Sequence, residues 1–183
     1  MVVFDATIIL PLIWSSAPPP RDPVTNLVVD GYRDRIANLI QTLEKDKTKI
    51  LIPTPALSEV LVRSGTAGPE YLSQISSSAA FLIAPFDTKA AVELAAMTAR
   101  ALADGDKKGA SDQTWAKVKF DRQIIAIAKA EGAKVIYSDD RGVRHFGKME
   151  GLTVIGTADL PLPPVDPQGT LPIETPPEVQ DQD

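Results

Sequence analysis

The chain has 183 residues, 44% of them hydrophobic and 23% charged, with a formal net charge of -5 at pH 7. That length and balance suit one domain with a proper core. Zero cysteines and a single histidine, His145, exclude disulfides, zinc–thiolate sites, thiol catalysis and any multi-histidine metal site.

Taken in order, the elements alternate strand and helix. Val2–Asp5 reads as a short buried strand, and Ala6–Trp14 as a helix or a continuation of that strand. Ser15–Asn26 is rich in proline and reads as a loop. Tyr32, Ile36, Leu39, Ile40 and Leu43 recur at helical spacing and predict an amphipathic helix to about Lys45. Lys49–Ile52 is a second buried strand, after which Thr54 caps and Pro55 starts a helix. Gly65 and Gly68 break it, and another helix runs from about Pro69 to Ser78. Phe81–Pro85 is the third strand; Asp87 or Thr88 then caps an alanine-rich helix to about Ala103. The segment 104–109 is an exposed loop. Ser111 caps a helix that, with or without a break near Trp115, reaches Glu131, with Phe120, Ile124, Ile127 and Ala128 as its core stripe. Lys134–Tyr137 and Leu152–Ile155 are the fourth and fifth strands. Strands joined by helices imply a largely parallel sheet covered on both faces.

The domain is therefore expected to span residues 1–160. Residues 161–183, with seven prolines and no aromatic residue, read as an extended, disordered acidic tail. No stretch is long and apolar enough to cross a bilayer. Ile8–Trp14 lacks the basic flank of a signal peptide, so a cytoplasmic protein is expected.

Charge is unevenly spread. From Asp159 onward there are six acids and no Lys or Arg, while residues 1–158 carry 19 basic against 18 acidic side chains. Lys117 to Lys148 hold eight basic residues against four acids, a surface compatible with a phosphate-bearing partner. The acidic tail is expected to shield that rim or to dock on a partner.

Four acids stand where simple packing would not place a carboxylate. Asp5 ends the first strand, Asp140 follows the fourth, Asp121 lies near the start of an apolar helix, and Glu59 lies in the first turns of the helix after Pro53. Strand ends and helix starts converge on one rim of an α/β sheet, where ligands bind. Clustered carboxylates repel one another unless a cation lies between them, and oxygen-only ligation suits Mg²⁺ or Mn²⁺. Metal ions held this way activate water and stabilise charge in phosphodiester hydrolysis. Thr7, two residues after Asp5, and Ser138, two before Asp140, are placed to orient ligands and water. Taken singly, each acid also has a plain structural reading. Asp5 is a helix cap, Glu59 a solvated first-turn residue, Asp121 a surface partner of Lys117 or Arg122, and Asp139 and Asp140 turn residues before Gly142.

Val3-Phe-Asp-Ala-Thr7, Pro55-Ala-Leu-Ser-Glu-Val60, Phe120-Asp-Arg-Gln-Ile-Ile-Ala-Ile-Ala128 and Ile136-Tyr-Ser-Asp-Asp140 resemble the four acidic motifs of PIN-domain proteins, in that family's order. The resemblance covers about Met1 to Pro163. It implies a PIN-like three-layer α/β/α sandwich with a mostly parallel central sheet. It also implies Mg²⁺- or Mn²⁺-dependent endoribonuclease activity, as in VapC-type toxins of toxin–antitoxin pairs. The partners it implies are an RNA substrate, an antitoxin that occludes the site, and a second copy of the chain. Matched by position, Asp5, Glu59, Asp121 and Asp140 form the acidic tetrad. Asp139 remains an alternative to Asp140, which is favoured by its place two residues after Ser138. The proline-rich Ser15–Pro23 and the acidic tail exceed what a minimal toxin needs.

Arg122, Arg141 and Arg144 are the candidate phosphate contacts, and His145 is read as a surface or RNA-contact residue in a basic turn. Trp14 and Trp115 are read as buried or homodimer-contact residues, with base stacking as the alternative. Two other functions compete. One is a haloacid-dehalogenase-like phosphotransferase with Asp5 as nucleophile and Asp139/Asp140 on Mg²⁺; the other is a non-catalytic PIN-fold binding module.

Overall fold

A computed structural model describes residues 1–14, 16–108 and 112–164. Its five strands, β1 (Val2–Phe4), β2 (Ile50–Pro53), β3 (Phe81–Ala84), β4 (Val135–Tyr137) and β5 (Thr153–Ile155), form one sheet in the order β3-β2-β1-β4-β5. Every pairing is parallel, with Val3 opposite Leu51 on one side and Ile136 on the other. Successive strand residues face opposite sides of a sheet. Val2, Val3 and Phe4 are all buried, as are Ile50, Leu51 and Ile52, so helices cover both faces, as the expected α/β/α sandwich requires.

The helices are α1 (Ala6–Ile13), α2 (Tyr32–Lys45), α3 (Thr54–Ser64), α4 (Gly68–Ser77), α5 (Thr88–Ala103), α6 (Trp115–Ala130) and α7 (Arg141–Met149). None among the described residues is long and apolar enough to cross a membrane. Ala6–Ile13 is thus helix rather than continued strand. Asp87, not Thr88, caps α5, accepting from the Ala90 amide at 3.0 Å. Ser111 lies outside the described residues; α6 begins at Trp115, and Thr114 Oγ1 accepts from the Lys117 amide. Thr54 does not cap α3. Its hydroxyl accepts instead from the Phe86 amide at 3.1 Å, tying the start of α3 to the end of β3. The expected basic turn after Asp140 is a full helix, α7, and His145 is an exposed residue on it. The chain after the 3-10 turn Thr157–Asp159 lies along α2, where Arg35 donates to the Leu160 carbonyl. From residue 165 the predicted tail lies outside the described residues.

The strand order places β1 at the point where the chain changes direction. From β1 it builds outward to β2 and β3, then returns to add β4 and β5 on the other side. The crevice beyond the carboxyl ends of β1 and β4 is the switch point, the usual ligand site of an open parallel sheet. Asp5 and Ser138–Asp140 occupy it.

The proline-rich loop is fixed against this crevice. Arg21 and Val28 form an antiparallel bridge, the Val29 amide donates to the Pro20 carbonyl at 3.0 Å, and Arg141 Nε donates to the Pro23 carbonyl at 3.1 Å.

At the opposite side of α6, Glu150 Oε2 accepts from Lys129 Nζ at 2.6 Å and from Arg100 Nη2 at 2.7 Å, joining α5, α6 and the end of α7. Burial alone would raise the Glu150 carboxyl, but the Lys129 and Arg100 contacts outweigh it and hold it below its ordinary value. A depressed acid contributes stability above its unfolded pKa and loses it as pH falls through the folded value. Glu150→Gln is expected to cost about 1–2 kcal/mol at pH 7 and almost nothing at pH 3. Thermal unfolding at both pH values checks this; an equal deficit at each would mean that packing, not charge, is lost.

Candidate metal centre

Asp5 sits at the junction of β1 and α1, in the backbone position of a helix cap, yet its side chain makes no capping bond. It turns into the crevice instead. Its Oδ2 accepts from Ser138 Oγ at 2.8 Å and from Thr7 Oγ1 at 3.0 Å. Each hydroxyl then accepts from the next segment: Thr7 Oγ1 from the Asp139 amide and Ser138 Oγ from the Asp140 amide, both at 3.0 Å. Two short side chains therefore lock the ends of β1 and β4 into one unit. Asp5 is 3% exposed. Burial pushes its carboxyl up, the Ser138 bond opposes that, and the nearby Asp140 charge adds to it.

Asp121 projects from the second turn of α6 and is fully buried. Its Oδ1 accepts from Lys117 Nζ at 2.5 Å, an i,i+4 pair on the helix. Its Oδ2 is sealed from solvent with no hydrogen-bond partner. Burial pushes Asp121 up to about 7 despite the Lys117 contact, and Asp140 and Asp5 push in the same direction. Lys117 is also shifted upward: burial disfavours its charge, but the contacts from Asp121 and Asp140 outweigh that.

Asp140 has two tasks. Its Oδ1 caps α7, accepting from the Gly142 amide at 2.7 Å and the Val143 amide at 3.0 Å, while Oδ2 lies 3.0 Å from Lys117 Nζ. Asp139 faces elsewhere, its two oxygens taken by the Thr157 amide at 2.7 Å and hydroxyl at 2.6 Å. The alternatives left open by the sequence thus separate: Asp140 joins Asp121 at the shared lysine, and Asp139 ties β4 to the turn after β5. Glu59, paired with Arg63 at 2.9 Å on α3, lines one cleft with Thr7 and Asp139 and touches neither Asp121 nor Asp140 by any hydrogen bond or ion pair among the described residues.

The three candidate phosphate contacts have different fates. Arg122 is corrected outright. A helix turns about 100° per residue, so next to inward Asp121 it points away from the crevice. It is 3% exposed and packs over Phe146 and Trp115, 5.0 and 5.9 Å from the ring centres. Arg144 pairs with Asp159 at 3.0 Å, and Arg141 braces the proline-rich loop. Two site residues were not foreseen. From the sequence Lys117 reads only as a surface partner of Asp121, although the i,i+4 spacing is plain there. Gly142 carries no sequence signal at all. A Cβ there would stand 2.0 Å from Asp121 Oδ2 and 2.7 Å from Gln113 Oε1, so only glycine lets α7 start against that carboxylate.

The donor set suits a hard divalent cation, being carboxylate and hydroxyl oxygen only. Asp121 Oδ2 is the stranded atom such a cation would satisfy. Among the described residues, no three acidic or imidazole side chains stand already arranged as a ligand shell. The ammonium of Lys117 bridges Asp121 and Asp140 instead. The residue types fit a hard cation, but the position between Asp121 and Asp140 is held by Lys117.

No family model and no curated protein matches the chain by sequence. Its fold is similar to that of a chain in VapBC2 from Rickettsia felis, solved bound to a DNA fragment from the promoter. The TM-score there is 0.56 at 16% identity, covering 85% of this chain and 98% of that one. It is similar also to a chain of DNA-bound VapBC from Salmonella typhimurium, with TM-score 0.51 at 13% identity, covering 85% and 97%. The chain shares the PIN-like α/β/α fold of these chains.

Proposed function

We propose that the chain is a divalent-metal-dependent endoribonuclease, the toxin of a toxin–antitoxin pair, acting in the cytoplasm. The observation that carries the catalytic reading is Asp121 Oδ2, buried without a partner beside Asp140 and Asp5 at the switch-point crevice. Buried polar atoms normally find a partner, and an oxygen left without one among like charges is one that a cation would satisfy. Asp5, Asp121 and Asp140 would hold Mg²⁺ or Mn²⁺, with Glu59 facing the same cleft from α3. When bound, the ion supplies an activated water and neutralises charge on the phosphate. Thr7 and Ser138 fix the Asp5 carboxylate so that its orientation is not lost to rotation. Lys117, released from its bridge, carries a positive charge at the rim where a phosphate would arrive. The resemblance in fold to VapBC chains supports an antitoxin partner.

The test is RNA cleavage by wild-type protein and Asp5→Asn with Mg²⁺, Mn²⁺ or EDTA. Cleavage should need the ion, and Asp5→Asn should lower it by more than the 10–100-fold typical of losing a group behind the ligands. Cleavage that persists in EDTA, or an Asp5→Asn variant as active as wild type, would remove this reading. An acyl-phosphate trapped on Asp5 would point to phosphotransfer instead.

A further inference from the structure

Beside the carboxylates the proline-rich loop closes one side of a cleft of about 270 Å³. Trp14 at the end of α1 and Pro18, Pro19 and Pro20 line it, with Thr7 and Asp139 at the inner end next to Asp5. We propose that this cleft takes a single unstacked nucleobase of the RNA strand, next to the phosphate held at the carboxylates. The proposal rests on the ribonuclease reading and names how that site would hold its substrate.

Size and chemistry both favour this occupant. The cleft is smaller than the about 300–1,000 Å³ of sites for drug-sized ligands, so one planar ring system fits and a base pair does not. Its walls are an indole and a run of pyrrolidine rings. The prolines present no backbone N–H to be desolvated, and an aromatic face stacks any base without regard to sequence. Charge does not select the occupant: Arg21 and Arg63 line the cleft together with Glu59 and Asp139, and Glu59 pairs with Arg63 at 2.9 Å. Continuity with the acidic site is direct. Thr7 bonds Asp5 Oδ2 and the Asp139 amide, so the inner end of the cleft is one side chain from the proposed ion.

The wall is also built in advance. Besides the Arg21–Val28 bridge, the Asp22 amide donates to the Leu27 carbonyl at 2.9 Å and the Asn26 amide to the Asp22 carbonyl at 2.8 Å. Arg21 Nη1 donates to the Asn26 carbonyl at 2.9 Å, and Arg141 holds the Pro23 carbonyl. A loop already ordered loses little entropy when a ligand enters. Bases in a duplex remain stacked and cannot reach such a slot, which makes the cleft selective for single strands or flipped bases.

The experiment uses the full chain in EDTA, so that nothing is cut, and reads binding by fluorescence anisotropy. The probes are a labelled single-stranded RNA octamer, its duplex, and an abasic octamer with the same ribose-phosphate backbone. The base-bearing single strand should bind on the order of 10-fold or more tighter than the abasic strand, the worth of one stacked base, and tighter than the duplex. Trp14→Ala and Pro18→Glu should each erase that margin, whereas Trp14→Phe should keep most of it. Pro18 is exposed, so its variant guards against a folding defect at Trp14. Equal binding of base-bearing and abasic strands to wild type overturns the proposal, as does a margin untouched by both wall variants. The ribonuclease reading fails separately, through cleavage that ignores Asp5 or the ion while the base-dependent margin stands.

Discussion

Lys117→Met is expected to lower the melting temperature of the metal-free protein at pH 8 by about 5–10 °C, corresponding to about 2–4 kcal/mol in a domain of this size. The ammonium of Lys117 is the cation bridging fully buried Asp121 and the α7 cap Asp140. Removing one partner of a buried pair leaves the other charge uncompensated. The upper part of that range is reduced because the lysine side chain is 36% exposed and partly screened. The pH dependence has a definite sign. Asp121 is raised to about 7, so below that value it is largely protonated in the folded state and has less need of the ammonium. The deficit should be large at pH 8 and small at pH 5. Adding millimolar Mn²⁺ should shrink it at pH 8, since the ion replaces the lost positive charge and binds only the folded state. Thermal melts of the variant across pH, with and without Mn²⁺, decide the matter. A deficit that Mn²⁺ leaves unchanged would mean that no ion binds between these carboxylates.

Gly142→Ala should be the most damaging single methyl that can be added at the site. The new carbon would lie 2.0 Å from Asp121 Oδ2, far inside contact distance, and the atom it meets belongs to a short, buried side chain. Either Asp121 leaves its position or the first turn of α7 lifts, and Asp140 caps that turn through the Gly142 amide. Overpacking of this kind costs about 1–3 kcal/mol. Both escapes also move a proposed ligand, so metal-dependent cleavage should fall on the order of 100-fold even where the protein stays folded. Lys148→Ala, on the exposed side of the same helix, should change stability by less than about 0.5 kcal/mol. Near-wild-type activity in Gly142→Ala would show that the position of Asp121 does not matter to the reaction.

The parts of this structure that could be read from the chain are those fixed by local pattern. Val2–Phe4 and Ile50–Ile52 are apolar without alternation, as strands buried on both faces must be, and the α2 stripe repeats at helical spacing. Asp5, Asp121 and Asp140 were legible as carboxylates in unfavourable company. What escaped depends on distant packing. The α7 segment holds Gly142 and Gly147, each unfavourable in a helix by about 1 kcal/mol, so Asp140 looked like part of a turn. The glycines are there for space: a Cβ on Gly147 would meet Val154 at 2.6 Å, and without it α7 lies close on β5. The same packing buries Asp121, which turned an ordinary i,i+4 pair with Lys117 into the centre of the site. Arg122 is buried on Phe146 and Trp115, a packing that nothing in its local sequence signals. Thr54 before Pro55 reads locally as a helix cap, but its hydroxyl meets the Phe86 amide on a separate segment, a bond no local pattern announces.

The parallel arrangement of β1 beside β4 has a further consequence for when the chemistry can exist. Val3 meets Ile136 and Phe4 meets Tyr137, contacts that join the two ends of the folded region and close slowly compared with local ones. Ser138 reaches Asp5 across a separation of 133 residues. A chain still being synthesised carries Asp5 and Glu59 early, but it has no Lys117–Asp121 pair, no Ser138 and no Asp140. The crevice therefore comes into being only after β4 and the start of α7 have been made, so a product that stops before β4 lacks the Ser138 bond to Asp5 and the Asp140 cap, however well its first half folds.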